Sequence, residues 1–202
     1  LENVDRLLKS PANQRGRDFA VMLKSLDDLG YAVEWRVINS ADYGMPQKRH
    51  RVYFLGYHKT SSIYKKISKQ KPEDWILHGG VLADAFKISG STSTLFEIKD
   101  DLDQISKNFN KGEKSSPFLN SGVMINGKVT TMKTAAIYNG KIKTLGSILR
   151  KGDVEEEFYI DSKELENWAY LKGSKKIERT NAEGYKYVYS EGSMGFPDDI
   201  SK

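Results

Sequence analysis

The sequence predicts an α/β layer, the C-terminal part of a sheet with a helix packed on it, followed by a smaller and mostly β region. Three observations carry this. Residues 17–30 place Phe19, Met22, Leu23, Leu26 and Leu29 at helical spacing, and Gly30 supplies a left-handed stop. The flanking runs 31–38 (YAVEWRVI) and 52–56 are β-branched and aromatic, as strands require. From Ser115 the pattern changes to short apolar runs broken by two Asn-Gly pairs, which accept the positive φ angles of tight hairpin turns.

In chain order, residues 1–4 read as the end of a strand and residues 5–9 as a polar loop or helical turn that Pro11 closes. After the helix and its two strands, residues 59–71 (KTSSIYKKISKQK) are polar and basic, which places a domain boundary near residue 70 and divides the chain into 1–70 and 71–202. A short helix is expected at residues 81–86 for packing, and residues 89–94 (SGSTST) are expected to form a loop. Val123 to Ile125 with Lys128 to Thr130, across Asn126-Gly127, form one hairpin. Ala136 to Tyr138 with Lys141 to Lys143, across Asn139-Gly140, form a second, so that a meander of at least four strands is expected. A helix over residues 161–171, capped by Asp161 or Ser162, would bury Leu165, Trp168 and Ala169. Residues 185–189 (YKYVY) read as a further strand, paired across residues 181–184.

Composition narrows the function. The 202 residues carry 32 Lys+Arg against 27 Asp+Glu, a formal net charge of +5 that is compatible with a polyanionic partner. No run approaches the roughly 18 apolar residues that cross a bilayer, and no N-terminal signal pattern is present, so a soluble intracellular protein is the default. The absence of cysteine excludes disulfides and cysteine-ligated metals, and His50, His58 and His78 are not spaced as a metal site.

The stretch that organises the chain is residues 39–57, NSADYGMPQKRHRVYFLGY. A polar turn leads into a basic cluster at the mouth of a strand. Alternation along an extended chain puts Gln47, Arg49 and Arg51 on one side. Two planar guanidinium forks beside a glutamine suit a phosphate or a base edge. The same residues also suit a solvated basic edge strand, or an ion pair within a sheet.

Gln47, Arg49 and Arg51 form Q-x-R-x-R after Asp42-Tyr43-Gly44, and Glu2-Asn3-Val4 opens the chain; in that order these blocks resemble the DNA cytosine-5 methyltransferases. Residues 191–198, EGSMGFPD, are similar to a later segment of one branch of that family. The resemblance is specific over roughly the first third, with a second anchor near the C-terminus. It implies the C-terminal part of a Rossmann-like methyltransferase sheet followed by a small mostly-β target recognition domain. It also implies a parent enzyme that transfers methyl from S-adenosylmethionine to C5 of a cytosine flipped out of double-stranded DNA.

Because the family's Pro-Cys nucleophile and Gly-rich cofactor block do not occur in the sequence, the resemblance implies an inactive C-terminal fragment whose cofactor is bound by a missing N-terminal part. A non-catalytic DNA-binding module is the alternative. Implied roles follow residue by residue. Glu2, its proton affinity raised by desolvation, would assist at the cytosine N3 while Asn3 orients its neighbours. Arg51 would contact the cytosine O2 and the flanking phosphate, Arg49 would hold Glu2 or nearby backbone, and Gln47 would orient the loop. In the β-rich region Lys128, Lys133, Lys141 and Lys143 are candidate phosphate contacts, or simply a solvated face. A monomeric, cytoplasmic protein of bacterial or phage origin, binding no metal or membrane, completes the expectation.

Overall fold

The computed structural model describes residues 1–182 and 184–192. Six strands form one sheet: β1 (Glu2–Val4), β2 (Tyr31–Asn39), β3 (His50–His58), β4 (Ile88–Glu97), β5 (Ser121–Ile125) and β6 (Lys128–Ala136). Their spatial order is β1-β3-β2-β5-β6-β4 and every pairing is antiparallel. A separate hairpin joins β7 (Lys175–Thr180) and β8 (Lys186–Glu191).

This corrects the expected fold class. The sheet is not a partial α/β layer with a detached β domain after it, because β2 offers its second edge to β5, with Val33 opposite Met124 and Trp35 opposite Gly122. Gly122 permits that register: a Cβ there would lie 2.1 Å from the Trp35 ring. Strands from both sides of residue 70 therefore share one set of hydrogen bonds.

The long helix α1 (Arg17–Asp28) packs Phe19, Ala20 and Leu23, each fully buried, onto one sheet face. Phe19 meets Trp35, Phe54 and Phe118 edge to face at centroid distances of 5.4, 6.0 and 5.0 Å. Leu29 lies beyond the last helical turn and is exposed, unlike the other apolar residues of the predicted stripe. On the other face, Ala32, Tyr57, Ile67, Trp75, Ile76 and Met132 form a second core. It is covered by α2 (Ser62–Ile67), α3 (Pro72–Asp74) with the helical turn Trp75–Gly79 that continues it, and α4 (Val81–Ala85). With both faces covered, β2 is buried almost throughout.

Three local expectations change. SGSTST is not a loop but part of the edge strand β4, which bulges between Gly90 and Ser93 and pairs with β6. Its threonines suit an extended chain, and a Cβ at Gly90 would meet the Met132 sulfur at 2.6 Å. The Asn126-Gly127 turn forms with φ of 51° and 71°, but no hairpin forms at Asn139-Gly140. There β6 ends at Ala136, opposite Ile88, and the chain beyond turns onto the Asp42-Tyr43-Gly44 turn instead. The later helix forms as α5 (Leu165–Lys172), yet Leu165, Trp168 and Ala169 are exposed because no described element packs on that face. Most of the EGSMGFPD segment, from residue 193, lies outside the described residues.

Beneath the second core lies a buried polar network. Glu34 accepts from the Tyr57 hydroxyl (2.7 Å), Trp75 Nε1 (2.5 Å) and the Leu82 backbone N–H (3.1 Å). Arg36, two positions on and equally buried, donates to the carbonyls of Ile76, Leu82 and Phe86. Together they tie residues 75–86 to β2.

Burial, reinforced by the hydrogen bond to Glu34, pushes the Tyr57 phenol above its ordinary value of 10.0. A raised folded-state pKa contributes stability that is complete below the unfolded value and is lost as pH rises above it. Urea midpoints should therefore fall above pH ~10, and Tyr57→Phe should flatten that decline. An equal alkaline decline in both proteins would remove Tyr57 as its cause.

Candidate functional site

The strand β1 is short and pairs with the start of β3, with Val4 opposite Arg51 and Glu2 opposite Tyr53. Leu1 extends the pairing, its terminal amine donating to the Phe54 carbonyl at 3.0 Å and its carbonyl accepting from Phe54 N at 3.1 Å. This register brings Glu2 to Arg51: Nε of Arg51 lies 2.8 Å from Oε1 of Glu2, and Arg49 reaches the same oxygen at 3.9 Å. Arg51 also donates to the His50 carbonyl at 2.8 Å. Two guanidinium groups and one carboxylate thus meet at a sheet edge open to solvent, where Glu2 keeps 43% of its side-chain surface and Arg51 keeps 22%. The desolvated pocket expected around Glu2 is not formed by these residues alone.

Asn3 turns its side chain back on the backbone, Oδ1 accepting from Val4 N at 2.8 Å. Gln47 is exposed in the connection that leads into β3. What fixes that connection is Asn39, which pattern reasoning did not single out. Buried at the end of β2, its Oδ1 accepts from Arg49 N (3.1 Å) and Ala41 N (3.4 Å), while Nδ2 donates to Asp42 (2.9 Å). Ser40 N donates to the Arg49 carbonyl at 3.2 Å. Asn39 thereby closes the turn and aims Arg49; an asparagine ending an apolar strand ahead of a turn was the available signal.

Beside the basic strand a cleft of about 480 Å³ is lined by Asp5, Lys9, Asn39, Asp42, His50 and Lys133, among others. Lys133 therefore shares a concavity with the turn. Lys143 is held against the turn by its own backbone N–H, which donates to the Gly44 carbonyl at 2.9 Å, and Lys141 lies two residues before it. Lys128 is not brought to this place. It pairs with Ile125 at the Tyr31 end of the sheet, roughly 20 Å from Asn39 at about 3.3 Å of rise per residue. Among the described residues no helix is long and apolar enough to cross a membrane, and no cluster of His, Asp and Glu could hold a metal ion.

Comparison with known proteins identifies the relatives. The model of the C-5 cytosine-specific DNA methylase family matches residues 1–194. The Type II methyltransferase M.Sau3AI of Staphylococcus aureus is 45% identical over 205 residues, covering 99% of this chain and 48% of the relative. M.NgoBI of Neisseria gonorrhoeae is 39% identical over 74 residues, covering 36% of the chain and 22% of that protein. The chain spans about half the length of the first of these relatives and a smaller part of the second. No solved structure matches.

These matches correct what the two blocks suggest by themselves. The likeness is continuous to residue 194 rather than confined to the first third and a short anchor. They do not support reading the chain as an inactive C-terminal fragment without catalytic residues, and they do not show the S-adenosylmethionine-binding region to be missing. With a family model covering nearly its whole length, the chain belongs to the C-5 cytosine-specific DNA methylase family.

Proposed function

We propose that the protein methylates C5 of cytosine in duplex DNA, using S-adenosylmethionine, and that Glu2 and Arg51 meet the target base. The observation that supports this most is their 2.8 Å contact, with Arg49 behind it, at an open edge. Addition at C6 of cytosine drives negative charge into the ring. An acid at N3 and a fixed guanidinium at O2 both relieve that charge. Arg51 carries its fork already oriented by the His50 carbonyl and Glu2. A base laid over the pair would exclude the water that now reaches Glu2, strengthening both interactions. Such a base must first leave the helix stack, at a cost of a few kcal/mol that contacts elsewhere on the duplex offset.

In this reading Asn3 fixes the backbone at β1, Arg49 steadies Glu2, and Gln47 orients the entrance to β3. Residues 1–70 carry the contacts to the target base and residues 71–202 read the DNA, although β2 and β5 on either side of residue 70 share one sheet. Lys133, Lys141 and Lys143 contact phosphates near the site, and Lys128 would contact DNA only at a separate place. The chain holds no cysteine, and the addition at C6 is assigned to none of its residues.

S-adenosylmethionine supplies the methyl group. The cleft lined by Asp5, Lys9, Asp42, His50 and Lys133 does not include Glu2 or Arg51, and no step is placed there. The protein acts as a monomer, in a bacterium or encoded by a phage; the two relatives described above are bacterial.

The test is transfer of a tritiated methyl group to duplex DNA by the full-length gene product, with the labelled nucleoside identified after digestion. Label in 5-methylcytosine is expected. Label on an exocyclic amine, or none, would overturn the reading.

A further inference from the structure

The segment that follows β6 is fastened to the turn that precedes Arg49. Ile137 N donates to the Lys87 carbonyl at 2.9 Å, and Lys143 N donates to the Gly44 carbonyl at 2.9 Å, so a short strap is pinned at both ends. Tyr138 is its seat. Its ring meets Tyr43 edge to face at 6.3 Å, and its hydroxyl donates to the Lys141 carbonyl at 3.3 Å.

Gly44 accepts this contact because it lacks a side chain. Its φ is +83°, and a Cβ would lie 2.6 Å from the Tyr138 ring and 2.8 Å from the Lys141 carbonyl. Tyr43 is itself braced, with Phe86 at 5.1 Å and its hydroxyl donating to the Lys87 carbonyl at 3.2 Å. The strap thus rests on a rigid base, and it presents Lys141 and Lys143 to solvent. Asp42, the acid of the same turn, is engaged by Asn39.

Resting on the function proposed above, we infer that residues 138–143 form a phosphate clamp indexed to the Arg49–Arg51 strand, with Tyr138 as its positioning residue. Through Gly44 and Asn39 the two lysines keep a fixed offset from Arg49, so that seating the duplex backbone on the strap sets where a base meets Glu2 and Arg51. Phosphate contacts are suited to this, since they fix register without reading sequence.

The experiment is fluorescence anisotropy of a random-sequence duplex across a salt series. It uses the wild-type chain, Tyr138→Ala, Tyr138→Phe and the double variant Lys141→Ala/Lys143→Ala. If both lysines meet phosphate, the double variant should shallow the slope of log affinity against log salt by about 1.8, at ~0.9 per phosphate. Tyr138→Ala should reproduce most of that change, and Tyr138→Phe, which keeps the ring, should retain the wild-type slope. A wild-type slope in either the double variant or Tyr138→Ala would overturn the clamp, and a loss in Tyr138→Phe as large as in Tyr138→Ala would overturn the assignment to the ring. Should Tyr138→Ala fail to fold, the double variant, whose side chains are exposed, decides alone. If the wild type binds no duplex, the DNA-reading function fails first, a result distinct from each of these.

Discussion

Replacing Arg51 with alanine is expected to lower methyl transfer by the full-length gene product roughly 10²–10³-fold, the usual loss when one fixed donor to developing charge is removed. Folding should hardly change. The Arg51–Glu2 contact is a partly exposed ion pair at a sheet edge, and pairs of that kind contribute about 0–1 kcal/mol. A large kinetic effect beside a small stability effect separates a group that meets substrate from one that merely staples β1 to β3. Arg51→Lys should not restore activity, because a point charge on a flexible stem cannot reproduce a fork held by the His50 carbonyl on one side and Glu2 on the other. Steady-state kinetics together with urea unfolding on the same preparations measure both halves. Activity within a few-fold of wild type would return the pair to a structural role.

Glu34→Ala should have the largest effect on stability. The carboxylate is 3% exposed and is the acceptor for three buried donors, on Tyr57, Trp75 and Leu82. Removing it strands those donors, at about 1–3 kcal/mol each when buried without a partner, so a loss on the order of 3–9 kcal/mol is expected. That is a large share of the roughly 5–15 kcal/mol that holds a domain folded. The loss should loosen residues 75–86 in particular, since the Arg36 bonds to Ile76, Leu82 and Phe86 fix the same segment. Glu34→Gln keeps one acceptor oxygen and should cost less. A change in unfolding free energy below about 1 kcal/mol for Glu34→Ala would mean that water or another group satisfies those donors.

The local features were legible because their causes are local. Phe19 and Leu23 recur at helical spacing, Gly30 ends the helix with φ of +81°, and Asn126-Gly127 carries the positive φ angles of a tight turn. Period-two alternation likewise puts Arg49 and Arg51 on one side of the strand, where both reach Glu2. What escaped depends on partners distant in sequence. Nothing near Trp35 announces that Gly122 will lie against its ring and join the two regions in one sheet. The edge strand β4 carries small polar residues on a largely exposed surface, so no apolar alternation marks it. Asn139-Gly140 has the composition of a hairpin turn, but Tyr138 lies against Gly44, a residue far away in sequence, instead. Glu34 and Arg36 lie within a strand run, and nothing near them announces that residues 75–86 will cover them.

A double-mutant cycle on Glu2 and Arg51, read in kcat/KM for methyl transfer to duplex DNA, bears most directly on whether one base is met by both groups. If the carboxylate and the guanidinium act on the same ring, Glu2→Gln and Arg51→Ala will each be strongly impaired, and the double variant will be little worse than the poorer single one. Losses that multiply, or a Glu2→Gln variant with undiminished activity, would show that the two side chains do not share a substrate.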